Sequence, residues 1–233
     1  MRLDRFLAES TDLTRGLAKR ALIRGEVTVN GELEKKAARH VAEADRIVWL
    51  GEPLSLVGTR YIMLHKPEGV ECTARRGLYP RVVDLLDVPK LERLQPVGRL
   101  DVDTTGLLLI TDDGQWSHRI TSPRRRCPKT YLAHLARPLE GDAAKRAVDA
   151  FAEGVKLDGD DTPTRPAELT CLDDHRVRLV IDEGRYHQVR RMFAAMGNHV
   201  ETLHRESVGE LVLDDTLAPG EWRELSPEEV ALF

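Results

Sequence analysis

Residues 98–111 read Gly-Arg-Leu-Asp-Val-Asp-Thr-Thr-Gly-Leu-Leu-Leu-Ile-Thr, a polar loop that leads directly into an apolar run. Residues 106–111 are too few for a helix and almost continuously apolar, which predicts a strand buried on both faces. The loop places two carboxylates, Asp101 and Asp103, where the chain enters the core. They could satisfy backbone donors in a turn, bind a metal as an Asp-x-Asp pair, or carry catalysis. Metal-dependent sugar-nucleotide chemistry lacks support, because the chain contains no glycine-rich nucleotide-binding motif.

The segments around this strand mix strands and helices without a regular alternation. Residues 187–196 have the spacing of an amphipathic helix that Gly197 closes, and Ser226-Pro227-Glu228-Glu229 is a capping box that opens a short final helix. Further strands are predicted at residues 60–65, 130–136, 176–181, 200–203 and 210–213. This order favours an α+β fold, with a mixed, mainly antiparallel sheet and flanking helices.

The first part of the chain has the pattern of a separate small module. Apolar spacing predicts two short helices before Gly25, and Val27-Thr28-Val29 followed by Asn30-Gly31 predicts a strand that ends in a tight turn. Residues 47–49 predict a later strand, and residues 51–58 predict a linker. We therefore predict two domains, a small α/β module with its linker over residues 1–58 and a larger domain over residues 59–233.

Charge is unevenly distributed along the chain, although the net charge is only −4. Residues 1–58, 59–136 and 185–205 carry net charges of +1, +4 and +3, whereas residues 137–184 and 206–233 carry −5 and −7. A local positive field is enough to attract a polyanion, so the acidic total does not exclude nucleic acid. Four cations lie on or beside the second predicted helix: Arg15, Lys19, Arg20 and Arg24. They indicate either a phosphate-binding face or an ordinary solvated one.

Composition excludes several classes of protein. With 41% hydrophobic and 32% charged residues, the chain is typical of a globular protein rather than a disordered one. It contains no apolar run of about 18 residues and no signal-peptide pattern, so we expect a cytoplasmic protein that does not contact membranes. The three cysteines, Cys72, Cys127 and Cys171, fit neither a disulfide framework nor a zinc site. We expect no metal.

Three segments resemble the signature motifs of the pseudouridine synthase family. Residues 98–107 resemble its G/H-R-L-D…T-G-L motif, Lys129-Thr130-Tyr131 its K-x-Y segment, and residues 183–192 its G-R-x-H-Q segment, in the family's order. Residues 2–8 and 18–31 resemble the S4 RNA-binding module of many RNA-modifying enzymes. Residues 111–124, 192–200 and 217–221 resemble the subgroup that acts on small-subunit ribosomal RNA.

The resemblance implies an isomerase that converts a specific uridine of 16S ribosomal RNA to pseudouridine without a cofactor. It assigns catalysis to Asp101, acting on the sugar or on the base, to Arg190 as the cation that keeps Asp101 ionised, and to Tyr131 as the stacking face for a flipped-out uridine. Without the resemblance, Tyr131 is an ordinary core tyrosine. The predicted RNA-binding residues are Arg99, Arg15, Lys19, Arg20, Arg24, Arg124, Lys129, Arg185, His187, Gln188 and Arg191.

Other functions stay open at this point. The expected partner is small-subunit ribosomal RNA, naked or in an assembling ribonucleoprotein, and we expect the enzyme to be a monomer. The alternatives are a synthase that acts on 23S ribosomal RNA, or a non-catalytic S4-type RNA-binding or ribosome-assembly protein. The presence of Asp101, Tyr131 and Arg190 argues against the non-catalytic alternative.

Overall fold

The computed structural model describes residues 1–73 and 75–233, which form two compact units. The first unit comprises Met1–Thr59 and Asp87–Arg93, and the second comprises Arg60–Leu86 and Leu94–Phe233. Our prediction of functional domains at residues 1–58 and 59–233 differs from these units at Thr59 and in the segment Asp87–Arg93. No sequence pattern marked that segment, because its membership depends on tertiary packing.

The first unit packs two helices on a small antiparallel sheet. Its elements are α1 (Leu3–Ser10), α2 (Arg15–Ile23), β1 (Val27–Val29), β2 (Glu32–Leu33), β3 (Ile47–Trp49) and β4 (Glu52–Leu54), with strand order β2-β1-β3-β4. The Asn30-Gly31 turn joins β1 to β2 with positive φ at both residues, as a two-residue hairpin requires. Both helices are confirmed. The linker prediction is wrong in part, because Glu52–Leu54 pairs with β3 instead of running free.

The second unit is built on one large sheet. Its strands are β5 (Tyr61–Lys66), β6 (Gln95–Pro96), β7 (Thr104–Thr111), β8 (Lys129–Leu135), β9 (Glu168–Cys171), β10 (Arg176–Ile181), β11 (Val200–Val208), β12 (Leu211–Val212) and β13 (Trp222–Glu224). They follow the order β13-β5-β7-β11-β8-β10-β9, with β12 beside β11 and β6 beside β7. β7 pairs with β11 in parallel, and the other pairings described are antiparallel. The predicted mixed, mainly antiparallel sheet is confirmed.

Helices flank this sheet. They are α3 (Gly114–Thr121), α4 (Gly141–Glu153), α5 (Gln188–Ala195) and α6 (Pro227–Val230), and Val82–Leu85 forms a 3₁₀ turn. α5 and α6 are confirmed, with Ser226 capping α6 as predicted. α3, which contains His118 and Arg119 and is capped by Asp113, was not predicted from the sequence. None of the helices in the described part of the chain is long and apolar enough to cross a membrane.

The core of the second unit lies on both sides of β7. Leu107, Leu108, Leu109 and Ile110 are each no more than 1% exposed, which confirms the strand predicted to be buried on both faces. This strand begins directly after the polar loop of residues 98–103. The fold therefore joins that loop to a strand whose apolar side chains are fully buried.

Candidate active site

A cavity of about 790 Å³ lies in the second unit, at the loop that precedes β7. Pockets that bind ligands of drug size measure about 300–1,000 Å³, so this one has room for a nucleotide. Eight predicted site residues lie on its wall: Arg99, Asp101, Lys129, Tyr131, Arg185, His187, Gln188 and Arg190. The described wall does not include Arg124 or Arg191, and Arg15, Lys19, Arg20 and Arg24 belong to the first unit.

The loop before β7 presents Asp101 to this cavity. The Asp101 carbonyl accepts a hydrogen bond from the Thr104 amide at 3.0 Å, which closes a tight turn. The buried Leu100 anchors the loop on its other side. The carboxylate faces the start of α5, where Asp101 Oδ1 lies 3.4 Å from His187 Nε2. The Asp101 side chain is 35% exposed, so a ligand in the cavity can reach it.

A buried lysine that the sequence analysis missed, Lys66, donates hydrogen bonds to the backbone of this loop. Lys66 is fully buried at the end of β5, and its Nζ donates to the carbonyl oxygens of Thr104 at 2.7 Å, Pro67 at 3.0 Å and Val102 at 3.4 Å. Burial lowers the pKa of Lys66, and nearby acidic groups oppose that shift. Three carbonyls converging on one ammonium fix the backbone next to Asp101. The signal in the sequence was a lysine at the end of a strand with an apolar centre, Ile62–Leu64.

Arg190 departs from the predicted geometry. The sequence predicts that it pairs with Asp101, but Arg190 Nη2 lies 3.0 Å from Asp103 Oδ2, and Arg190 Nη1 donates to the Val200 carbonyl at 2.9 Å. The reason is its position in the first turns of α5 against β11, where the Val200 carbonyl holds one end of the guanidinium. His187, just before the helix, takes the place beside Asp101.

Two nitrogens of Arg190 lack a hydrogen-bond acceptor among the described residues. Its Nε and Nη2 atoms are buried and make no hydrogen bond within the described part of the chain, because the approach to Asp103 is an ion pair without hydrogen-bond geometry. Buried N–H groups without acceptors are costly, and a bound ligand can satisfy them. Arg190 therefore has two buried nitrogens at the cavity wall, Nε and Nη2, that lack hydrogen bonds to the residues described, and Nη2 is also ion-paired with Asp103.

Tyr131 and two cations form another part of the wall. Tyr131 lies on β8 with only 7% of its surface exposed, between Leu179 and Arg205 in register. Lys129, two residues earlier, donates to the Cys127 carbonyl at 3.0 Å, and burial lowers its pKa. Arg205, which the sequence analysis missed, is 3% exposed and donates from Nε to the Leu107 carbonyl at 2.8 Å.

The wall carries more positive than negative charge. Its Lys and Arg residues are Arg99, Lys129, Arg165, Arg185, Arg190 and Arg205, and its Asp and Glu residues are Glu71, Asp101, Asp182 and Glu183. Cations held in a partly desolvated cavity favour an anionic ligand. Arg99 is exposed at this wall, and Arg124 is exposed on the loop that follows the wall residues Ser122 and Pro123.

Two predicted RNA-binding arginines are used inside the protein instead. Asp160 accepts from Arg185 at 3.0 Å and from Arg191 at 2.7 Å. Arg185 also donates to the carbonyls of Thr162 and Pro163 and to Glu183. These contacts occupy the guanidinium groups, so direct RNA binding by Arg185 and Arg191 does not fit the structure.

Gln188 is also an internal contact rather than an RNA ligand. It is 4% exposed, accepts from the Arg185 amide at 2.9 Å, and donates to Glu183 Oε1 at 2.8 Å. Together with the Asp160 ion pairs, these bonds hold residues 183–191 as one segment. The geometry of this segment sets where His187 and Arg190 enter the cavity.

Two aromatic rings stack at the edge of the cavity. The rings of Tyr186 and His187 have centroids 3.8 Å apart and planes 19° apart. His187 takes a left-handed backbone conformation, with φ of 48°, directly before α5. The sequence analysis assigned RNA contact to His187 but no role to Tyr186, whose exposure depends on the fold.

The described part of the chain has no cluster of side chains suited to bind a metal. Among the residues that the structure describes, no group of three or more His, Cys, Asp or Glu side chains is placed to hold a metal ion. Asp101 and Asp103 instead face His187 and Arg190. The two carboxylates of the Asp-x-Asp pattern thus have separate neighbours, a histidine and an arginine.

Comparison with known proteins adds independent findings. The sequence profile of the RNA pseudouridylate synthases matches residues 60–195. The chain is 53% identical to "Ribosomal small subunit pseudouridine synthase A" of Pasteurella multocida (strain Pm70), over 100% of this chain and 99% of that protein. It is 49% identical to the protein of the same name from Escherichia coli (strain K12), over 99% of both chains. A solved structure described as "Crystal structure of pseudouridylate synthase" superposes with a TM-score of 0.71 at 47% identity, covering 100% of both chains.

Proposed function

Because this chain belongs to the RNA pseudouridylate synthase family, we propose that it isomerises a uridine of small-subunit ribosomal RNA to pseudouridine. The choice of RNA follows the names of relatives that match it over nearly their whole length. The observation that carries the proposal is the accessible Asp101 carboxylate in a cation-rich cavity within the matched residues 60–195.

The reaction requires few chemical groups. The bond from ribose C1′ to uracil N1 breaks, a bond from C1′ to C5 forms, and N1 gains a hydrogen while C5 loses one, so that no oxidant or cofactor is consumed. Asp101 acts as the reactive carboxylate, at the sugar carbon or at the base. The free N–H groups of Arg190 hold an oxygen of the bound nucleotide, and Tyr131 offers its ring to the extruded base.

His187 takes part of the role that the sequence gives to Arg190. Its Nε2 lies 3.4 Å from Asp101 Oδ1, so the imidazole is the group that faces this carboxylate from the start of α5. Arg190 instead pairs with Asp103 and turns its remaining N–H groups toward the substrate. Lys129, Arg99 and the arginines at 124–126 supply positive charge for the RNA backbone.

We assign a separate RNA-binding role to the first unit. The cations Arg15, Lys19, Arg20 and Arg24 are all exposed on or beside α2. Arg15 and Arg24 make only long or exposed ion pairs, to Asp4 at 3.7 Å and to Glu26 at 3.3 Å. Exposed cations on one helix contact phosphates without reading sequence, so this module adds affinity while the cavity selects the uridine.

The test is a map of pseudouridine in ribosomal RNA from cells that lack this protein. Carbodiimide-blocked primer extension over both subunit RNAs is compared after complementation with wild type, with Asp101→Asn, and with Asp142→Asn, an exposed carboxylate on α4. We expect one missing small-subunit mark, restored by wild type and Asp142→Asn but not by Asp101→Asn.

Each other result of this map has a defined meaning. A missing mark in large-subunit RNA would correct the substrate and keep the reaction. No missing mark in either RNA would favour a ribosome-assembly protein and end the catalytic proposal. Restoration by Asp101→Asn would remove Asp101 from its catalytic role, whichever RNA is the substrate.

We further propose that the chain works as a monomer in the cytoplasm, on naked RNA or on an assembling particle. Light scattering after size-exclusion chromatography measures the mass against the 26.3 kDa of one chain, and a doubled mass would contradict the monomer. Comparing turnover on naked small-subunit RNA and on RNA bound by ribosomal proteins identifies the substrate form.

A further inference from the structure

Tyr186 is the most exposed aromatic residue of the protein. The chain has three Trp, four Tyr and four Phe residues, and the structure describes all of them. Tyr186 is 73% exposed, and Tyr79, at 40%, is the other aromatic residue among the exposed large hydrophobic side chains. A large ring left in water on the wall of a ligand cavity is a feature that a bound group would explain.

The Tyr186 ring is held in place. Its backbone carbonyl accepts a hydrogen bond from Arg191 Nη1 at 3.1 Å, and the preceding Arg185 is fixed by its bonds to Asp160 and Glu183. One face of the ring packs on His187, with centroids 3.8 Å apart. The exposed fraction of 73% leaves the other face open. A pre-positioned ring loses little conformational entropy when a second ring stacks on it.

The stack also sets a distance to the reacting nucleotide. His187, which covers one face of Tyr186, is 3.4 Å from the Asp101 carboxylate. Because only the His187 ring lies between Tyr186 and that carboxylate, a base on the free face of Tyr186 would belong to a nucleotide close in the strand to a uridine held at Asp101. Extruding that uridine removes a stacking partner from its neighbours, and an aromatic platform replaces it.

We propose that the free face of Tyr186 is a second nucleobase site, which stacks on a base one or two nucleotides from the flipped uridine. The proposal rests on the proposed function, since it requires an RNA nucleotide at Asp101. Stacking accepts every base, because every base has a π face, so this site contributes affinity and positioning rather than sequence readout. Tyr186 is therefore a positioning residue for the strand that leaves the cavity.

The first experiment measures binding and turnover of a small-subunit ribosomal RNA transcript by Tyr186→Phe, Tyr186→Leu and Tyr186→Ala. Stacking of a base on an aromatic ring is worth ~1–3 kcal/mol. We therefore expect Tyr186→Leu and Tyr186→Ala to raise Kd and KM by about 5- to 150-fold, and Tyr186→Phe to stay near wild type. Val212→Ala, at a residue 63% exposed on β12, is the control for loss of an exposed apolar side chain. Wild-type Kd and KM in Tyr186→Leu would overturn the proposal.

The second experiment locates the base. Tyr186→p-azidophenylalanine is crosslinked to the same transcript, and the crosslink is mapped by reverse-transcription stops. We expect it within two nucleotides of the uridine that the wild-type enzyme modifies. A crosslink farther away, or none in a complex that forms, would overturn the site.

The two proposals fail in different ways. Tyr186-dependent binding by an enzyme that modifies no uridine would end the proposed function and leave a base-stacking site. If every variant at residue 186 binds and modifies the RNA as wild type does, the stacking site would be wrong and the proposed function would stand. Absence of RNA binding by wild type would overturn both.

Discussion

At Gly106 the backbone of β7 passes so close to β11 that no side chain fits. A Cβ atom built there would lie 2.3 Å from the Arg205 carbonyl oxygen and 2.6 Å from its nitrogen, and the residue has φ of +107°. The close approach forms the parallel β7–β11 pairing. The same contact carries Arg205 to the cavity wall, so one glycine serves both the sheet and the site.

Gly106→Ala should therefore destabilise the protein by about 3 kcal/mol or more, since it combines a backbone clash with an unfavourable φ. Thermal and denaturant unfolding measure the change. The matched control is Gly114→Ala in α3, where nothing lies within 4 Å of the added Cβ, and we expect a change below about 1 kcal/mol. Equal stability of the two variants would show that β7 and β11 can move apart without cost.

The sequence predicted the site residues that lie in recognisable motifs. It did not predict those whose role depends on being buried against the backbone of other strands. Asp101 and Tyr131 lie in segments that resemble family motifs, and both line the cavity. Lys66 and Arg205 were missed, because their hydrogen bonds go to backbone carbonyls that only the tertiary structure brings near. The prediction that Arg190 pairs with Asp101 was wrong for the same reason, since Arg190 pairs with Asp103. Residue spacing placed it near the Asp101 loop but could not choose between two carboxylates two residues apart.

Among the elements, the segment from residue 183 to α5 connects distant parts of the second unit to the cavity. Asp160 lies in a loop well before it in sequence, yet it pairs with both Arg185 and Arg191. Hydrogen bonds from Arg191 and then Arg185 lower the pKa of Asp160 below its ordinary value of 3.8. The carboxylate thus stabilises the fold when it is ionised.

Asp160→Asn should loosen this segment and lower kcat by on the order of 10- to 100-fold, because small misplacements of reacting groups cost rates of that size. The free energy of unfolding of the variant should be lower than that of wild type above pH 3.8. The difference should shrink as pH falls, because Asp160 of the wild type is then protonated and its ion pairs with the two arginines are lost. Activity assays and thermal unfolding against pH measure the two effects.

The control for this variant is Asp173→Asn. Asp173 also bonds an arginine, Arg176, and its pKa is lowered to about 2, but it lies outside the described cavity wall. It should lose stability with the same direction of pH dependence and keep kcat. A kcat for Asp160→Asn that matches Asp173→Asn would mean that the segment needs no support from residue 160.

Element prediction succeeded where apolar contrast was high. The run in β7, the Asn30-Gly31 turn and the Ser226 cap each have a direct physical signature. α4 was missed although Ala147 and Phe151 recur at i, i+4, because alanines give weak contrast with their polar neighbours. α3 was missed because its N-cap, Asp113, sits in a polar stretch that also suits a loop.

On the scale of the whole molecule, the distribution of charge matters more than its sum. The chain carries a net charge of −4, yet exposed cations gather on α2 in the first unit, and cations exceed carboxylates on the cavity wall of the second. Each phosphate contact releases counterions, so affinity for RNA depends on salt in proportion to the number of such contacts. The slope of log K against log salt therefore measures how many cations contact RNA phosphates. Cations that only add to the net charge do not change this slope.

The chain offers a matched pair of variants for this count, since α2 and α4 each expose a Lys-Arg dipeptide, Lys19-Arg20 and Lys145-Arg146. Replacing both residues with Ala removes the same charge in each case. For Lys19-Arg20 we expect weaker RNA binding and a slope of log K against log salt that is smaller in magnitude by about 1.5, from roughly 0.7–0.9 per phosphate contact. For Lys145-Arg146 we expect an unchanged slope. Equal slopes in the two variants would mean that α2 contributes only net charge, and the RNA-binding role of the first unit would then have to rest on other residues.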